Sequence, residues 1–301
     1  MTRVMLILLA AGRLLAQPAF YSTAYLEEWK PGFQSGLLEN YKEVVLPRLT
    51  SAERQRLGEV RLEFPLFGQT RDTYEFYSLP GANPPRIVLP ISSLRFFADV
   101  CLSTAWWRRQ NKKELDPVMG YISRTKYGRA PRLSLRKALG VPENAGEDPG
   151  IQNFTSECFS SGALFILLHE MGHVIERGRG PGGQSEEMLA DAFALEIFRR
   201  LKTPPTGSVL FFSAVAYAAP TRWDYPNEKA YLKATRESTH PVTSERLKAI
   251  SRELTVPAQD YRDPNPVRGP ELARYAGREI GRLADFLEDY GVQRAMELVY
   301  Q

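Results

Sequence analysis

Two histidines one helical turn apart mark the stretch of this sequence that is best suited to chemistry. The chain contains only three histidines, and two of them, His169 and His173, lie in LLHEMGHVIERGRGPGGQSEEMLADAF at 167–193. An α-helix turns about 100° per residue, so residues four apart point to nearly the same side. Both imidazoles can therefore reach one metal ion, while Glu170 can face a water molecule beside it. This HExxH spacing predicts a zinc site in which the glutamate is the general base.

A third ligand should come from a second helix, because catalytic zinc takes three protein ligands and leaves one position open. The segment GRGPGGQ at 178–184 holds four glycines and a proline, which predicts a break between two helices. We expect Ser185 to cap the next helix and Glu187 to face the ion. Asp191, one turn later, would then accept a hydrogen bond from a ligating histidine. Glu186 stays open as the alternative ligand, since the register can differ by one residue.

The two motifs together resemble a known family. His-Glu-x-x-His followed by Glu-x-x-Ala-Asp is similar to the gluzincin metallopeptidases, and EEMLADAFAL at 186–195 resembles the HtpX and CAAX prenyl protease family. It also resembles a group of uncharacterised bacterial proteins of metallopeptidase type with a Gly/Pro loop between the motifs. The resemblance covers about residues 160–250, without the membrane helices of that family. It implies a zincin-like core, Zn²⁺ as the cofactor and Glu187 as the third ligand.

The third histidine extends the same resemblance. STHPVTSERLKAI at 238–250 is similar to the Thr-His-Pro…Glu-Arg segment that follows the metal helices in HtpX-type peptidases. By that likeness His240 donates a hydrogen bond to the tetrahedral oxyanion, and Arg246 orients the segment. Phenols that could serve instead belong to Tyr217, Tyr225 and Tyr231, whose spacing does not distinguish them from core aromatics.

Composition narrows the class of protein. The chain has 301 residues, 43% hydrophobic and 25% charged, with a formal net charge of +4. These values are typical of globular proteins, and the weak charge gives no reason to expect nucleic acid or an anionic membrane surface as a partner. The sequence shows no linker between independent halves. We therefore expect one metallopeptidase-like domain at 17–301, with a peptide or protein as substrate and the oligomeric state left open.

The first twenty residues, MTRVMLILLAAGRLLAQPAF, have the pattern of a secretory signal. Arg3 supplies the positive start, Val4–Gly12 the apolar run and Ala16 a small residue before a cut, which predicts a signal peptide at 1–16. Nine apolar residues cannot span a bilayer, which needs roughly 20. An uncleaved apolar helix is the alternative. Export predicts a secreted or periplasmic protein, in which Cys101 and Cys158 form either a disulfide or two buried thiols.

The elements that must hold these residues are mainly helices. Helical spacing of apolar residues and alternation of polar residues predict the following segments: helix at 20–56 with a break at 28–36, strands at 59–65, 72–78 and 86–90, helix from Ser92 to Asn111, loop at 139–150, the motif helix, a helix after Ser185, an apolar segment at 208–219 too short to span a membrane, loop at 256–270, and helices at 271–291 and 292–301. The predicted class is α+β, mostly α-helical, with a small β element near the start.

The chemistry expected from these residues is zinc-dependent hydrolysis of a peptide bond. Glu170 would take a proton from water and later deliver it to the leaving amine. Two alternatives remain open at this point. One is a secreted zinc-binding protein without catalysis, and the other is a zinc amidase acting on cell-wall peptide.

Overall fold

Helices make up most of the chain in the computed structural model, which describes residues 20–69, 75–110, 115–126, 133–177, 183–238, 240–262 and 267–300. The helices, in chain order, are α1 Thr23–Glu39, α2 Ser51–Leu57, α3 Ile91–Arg109, α4 Leu115–Lys126, α5 Leu135–Ala138, α6 Pro149–Ile175, α7 Gln184–Leu201, α8 Ser208–Ala218, α9 Glu228–Glu237, α10 Ser244–Thr255, α11 Arg268–Glu288 and α12 Tyr290–Tyr300. The predicted mostly helical α+β class is confirmed. The predicted signal peptide lies outside the described residues.

The first helix runs through the segment where a break was predicted. Ser22 caps α1 by accepting a hydrogen bond from the Tyr25 amide, and the helix continues past Pro31 to Glu39. The predicted break is absent because side-chain packing offsets the free-energy cost of a proline inside the helix. Trp29 and Phe33 stack along one face at a centroid distance of 6.1 Å, and Phe33 packs on the motif helix. Tertiary contacts of this kind override local propensity.

The β element is a three-stranded sheet near the start of the chain. Its strands are β1 (Arg61–Glu63), β2 (Tyr77–Leu79) and β3 (Arg86–Val88), in the order β1-β3-β2. β3 pairs in parallel with β1 and antiparallel with β2. All three strands are shorter than predicted, and part of the second predicted strand, 72–74, lies outside the described residues. Within the described sheet β2 is an edge strand, and this position matters for the site.

The helix predicted from Ser92 begins one residue earlier, at Ile91. Pro90 is the N-cap, and the hydroxyl of Ser92 is buried inside the first turn without a hydrogen-bond partner among the described residues.

The two cysteines of the chain lie on α3 and α6, which pack against each other. Cys101 and Cys158 are both free and buried, so the structure favours the two buried thiols over a disulfide.

The motif helix α6 lies in the middle of the core. Its N-terminus is capped by the Asp148 carboxylate, which accepts hydrogen bonds from the amides of Gly150 and Ile151 at 2.8 and 3.1 Å. Among the described residues this helix alone is long and apolar enough to cross a membrane by length and composition. In the fold, 67% of its most apolar stretch is buried. The core helix of a globular domain has this property too, so α6 is weak evidence for a membrane span.

Candidate metal centre

The two metal-site helices touch at a glycine. A Cβ atom built on Gly172 of α6 would lie 2.7 Å from the Cα of Ala190 in α7 and 3.0 Å from its carbonyl oxygen. Only a glycine allows this approach, because the obstructing atoms belong to backbone that cannot rotate away. Gly183 is the N-cap of α7, and its φ of 60° favours glycine. The prediction of Ser185 as the N-cap was therefore wrong. The close approach is what brings the start of α7 over the histidines.

Replacing Gly172 with alanine should therefore push α6 and α7 apart. We expect the free energy of unfolding to fall by about 1–3 kcal/mol, the usual cost of overpacking, although alanine is the better helix former by about 1 kcal/mol. Urea denaturation measures the change. Gly32→Ala in α1 is the matched control, because its added Cβ meets nothing within 4 Å and should not destabilise. Equal stability of both variants would contradict the packing role of Gly172.

The two histidines of α6 direct their Nε2 atoms at one point. His169 Nε2 and His173 Nε2 lie 3.1 Å apart. His169 Nδ1 lies 2.9 Å from Asp191 Oδ1, so the neutral ring can donate its Nδ1 proton to that carboxylate and offer the Nε2 lone pair to a metal ion. Two imidazole lone pairs that converge in this way suit a shared metal ion. The predicted hydrogen bond from a ligating histidine to Asp191 is present.

Glu187, at the start of α7, completes this group, and Glu186 does not. The Glu187 carboxylate is buried, with Oε1 3.2 Å from His173 Nε2 and Oε2 3.4 Å from His169 Nε2. Glu186 instead lines the neighbouring cleft. The register left open by the sequence is thus decided by the way α7 packs on α6.

His240 lies in the same group. It contacts Glu187, which the sequence did not indicate. Its Nδ1 atom is 3.1 Å from Glu187 Oε1, and its Nε2 atom is 4.0 Å from Glu170 Oε1. The side chain is 32% exposed, whereas those of Glu187 and Glu170 are 2% exposed. The three histidines and Glu187 offer ligand atoms that all lie within 4.8 Å of one another. This cluster could hold a metal ion.

Arg246, the first arginine of α10, makes more contacts than its sequence position indicated. It donates to Asp191 Oδ2 from Nε at 2.6 Å and to Asp191 Oδ1 from Nη2 at 2.9 Å. Its Nη1 lies 2.7 Å from Glu187 Oε2 and 3.2 Å from the carbonyl oxygen of Pro241. The last of these contacts joins Arg246 to the 238–250 segment, which it was predicted to orient. The contacts with the two carboxylates had no signal in the sequence.

Glu170 is buried beside the cluster with one oxygen unsatisfied. Its side chain is 2% exposed, and Oε2 has no hydrogen-bond partner among the described residues. A cavity of about 60 Å³ lies against it, bounded also by His169, His240 and Phe212. A cavity of this size holds a few water molecules. A buried carboxylate oxygen without a protein partner is suited to contact water or a reacting group.

The charges of this pocket favour a cation. Burial lowers the pKa of His169, but hydrogen bonds to Asp191 and Glu187 outweigh it and raise that pKa to about 10. Burial raises the pKa of Glu187, but hydrogen bonds from the histidines and the charge of Arg246 hold it far below its usual range. The pKa of Asp191 is lowered against burial by the same arginine and by His169. Two ionised carboxylates against one guanidinium leave a negative charge that a proton or a metal ion can balance.

A cleft of about 1050 Å³ opens beside the cluster. Its walls include His173, Glu187 and His240 and the edge strand β2. Sequence reasoning missed this wall, because the edge position of a strand depends on pairing between distant segments.

The three tyrosines named as alternative oxyanion donors lie in different places. Tyr225 and Tyr231 line the cleft, whereas Tyr217 stacks on Phe286 at a centroid distance of 4.9 Å.

No protein-family model matches this chain, and neither a curated protein nor a solved structure matches it. The donor atoms themselves fit a divalent cation, since imidazole nitrogens and a carboxylate oxygen are the ligands that zinc takes in hydrolytic sites. Other first-row metals accept the same ligands. The geometry therefore supports a metal site without identifying its metal.

Proposed function

We propose that this protein is a secreted or periplasmic zinc-dependent metallopeptidase of the gluzincin type, with a zincin-like core. One observation carries the proposal. His169, His173 and Glu187 offer ligand atoms to one point, and Glu170, whose Oε2 has no hydrogen-bond partner in the described structure, lines a cavity together with His169 and His240. A structural metal site needs no buried base, whereas hydrolysis needs one within reach of water.

Three side chains would hold the ion. His169 and His173 supply Nε2, and Glu187 supplies a carboxylate oxygen, which is the His₂Glu set of catalytic zinc. Bound there, zinc supplies a Lewis acid that lowers the pKa of water toward about 7 and polarises a peptide carbonyl. Asp191 fixes the ring of His169 from behind, so that Nε2 and not Nδ1 faces the ion.

Glu170 and His240 are the residues assigned to proton transfer and charge stabilisation. The Glu170 carboxylate takes a proton from the attacking water and returns it to the leaving amine. His240 donates a hydrogen bond to the oxyanion that forms as the carbonyl carbon becomes tetrahedral. Its Nε2 lies 4.0 Å from the Glu170 carboxylate, so both groups can contact one substrate amide.

The edge strand supports a peptide as the substrate. β2 lies along the cleft, and in the described sheet it pairs on one side only, with β3. Edge strands present amide and carbonyl groups that an extended peptide can pair with. A peptide bound against Tyr77–Leu79 would lie in the same cleft as His173, Glu187 and His240.

Removing the metal is the direct test of this proposal. We expect the purified mature protein to contain about one zinc per chain and to cleave a peptide library that includes cell-wall peptides. A chelator should abolish cleavage and added zinc should restore it, because the site holds the only group proposed to polarise the carbonyl. Metal analysis and mass spectrometry of the products measure both. Cleavage that persists after the zinc has been removed would contradict the proposal.

A second candidate is a non-catalytic secreted zinc-binding protein. The observation that favours it is the position of His240, whose ring nitrogens lie close enough to Glu187 for a fourth ligand. A site closed by four protein ligands has no position for water and is structural. The two candidates differ in what His240 binds, the ion or the substrate.

A further inference from the structure

Arg246 contacts residues from three segments of the candidate site. Its side chain is 3% exposed, and its guanidinium contacts the metal-facing Glu187, the histidine partner Asp191 and the Pro241 carbonyl next to His240. The group also lies over the ring of Phe212, with its Cζ 5.6 Å from the ring centroid. A guanidinium is a rigid planar fork with five donors, so contacts on several sides fix its orientation.

The two carboxylate oxygens of Glu187 have different surroundings because of this arginine. Oε2 lies 2.7 Å from Arg246 Nη1, which is the distance of a charge-assisted hydrogen bond. Oε1 lies 3.2 Å from His173 Nε2 and 3.1 Å from His240 Nδ1, and no contact of Oε1 with Arg246 is seen in the described structure. Both oxygens thus lie near imidazole nitrogens, since Oε2 is also 3.3 Å from His240 Nδ1 and 3.4 Å from His169 Nε2, but in the described structure Oε2 is the one paired with a guanidinium.

A carboxylate can bind a metal ion through one oxygen or through both. Binding through both oxygens would add a second ligand atom from Glu187 beside the position that a hydrolytic site leaves for water, and would raise the coordination number from four to five. An ion pair with a fixed guanidinium opposes this mode, since Oε2 would have to turn away from Nη1 to bind the metal together with Oε1. The bidentate hold of Arg246 on Asp191 keeps the guanidinium from following the carboxylate.

We propose that Arg246 is a positioning residue that reserves Oε2 of Glu187 and so limits this ligand to one metal-binding oxygen. The proposal rests on the metal site of the proposed function. Arg246 thereby keeps one coordination position free of Glu187, while its contact with Asp191 also steadies His169. Charge alone is not sufficient for this role, because the planar fork must hold both carboxylates at once.

Cobalt substitution tests the proposal without measuring activity. Four-coordinate Co²⁺ absorbs visible light much more strongly than five-coordinate Co²⁺. We expect an intense spectrum for the cobalt-loaded wild type and a several-fold weaker one for Arg246→Lys, in which the charge is kept and the fork is lost. Metal affinity should fall about 10- to 100-fold, as for other residues that orient a metal ligand. Arg199→Lys is the matched control, since this arginine of α7 pairs with Glu196 and Glu253 away from the site.

Two spectra would overturn the proposal. One is a weak, five-coordinate spectrum of the wild type, and the other is an Arg246→Lys spectrum as intense as that of the wild type. Should the lysine variant fail to fold, the infrared difference between metal-loaded and metal-free wild type decides the point. A carboxylate bound through one oxygen has a wide separation of its two stretching bands, and one bound through both has a narrow separation. A four-coordinate protein that cleaves no peptide would leave this inference standing and overturn only the proposed hydrolysis.

Discussion

In the Glu170→Gln variant we expect zinc to remain bound and peptide cleavage to fall by about 10²–10⁴-fold, the usual contribution of a general base. Glutamine has the same shape as glutamate but cannot accept a proton from water. Zinc should remain because Glu170 is not among the four residues whose ligand atoms converge. Stability should not fall either, since the variant removes a carboxylate whose Oε2 is buried without a protein partner.

Metal analysis, cleavage rates and urea denaturation of the purified variant measure these three effects. Glu186→Gln is the matched control, because Glu186 lines the cleft but stands outside the metal group. It should keep both zinc and activity, which also tests the register of α7. Wild-type cleavage by Glu170→Gln would remove Glu170 from the mechanism. Loss of zinc from Glu186→Gln would place the third ligand one residue earlier.

The second large effect is expected from His240→Ala. We expect zinc to remain and the rate of cleavage to fall by about 10²–10³-fold, the typical cost of losing one oxyanion donor. The physical reason for retained zinc is burial. His169 and Glu187 come from packed helices and are almost fully buried, whereas the His240 side chain is 32% exposed on a segment outside the helices.

Zinc content and kcat of His240→Ala separate the two candidate functions. Tyr231→Phe is the control, because it removes a hydroxyl from the same cleft without touching the metal group. Release of zinc from His240→Ala would make this histidine a fourth ligand and favour the non-catalytic zinc protein. Retained zinc with an unchanged rate would show that another group stabilises the oxyanion.

Local spacing was sufficient to predict the directions of residues that share a helix. His169 and His173 face one point, and Asp191 follows Glu187 by one turn, because the helix repeat fixes the angle between residues four apart. The helices themselves were predictable where apolar residues recur, as in α6 and α11. The predicted break at Pro31 failed for the opposite reason, since packing of Trp29 and Phe33 is invisible in local propensity.

Distances between segments were decided only by the tertiary structure. Glu187 rather than Glu186 reaches the histidines because Gly172 lets α7 approach to backbone contact at Ala190. Arg246 lies 55 residues after Asp191 in the chain, yet it holds that carboxylate through two hydrogen bonds. Helical periodicity sets angles about one axis, whereas the separation of two axes depends on every side chain packed between them. The sequence alone therefore determined which residues could bind a metal, and packing determined which of them meet.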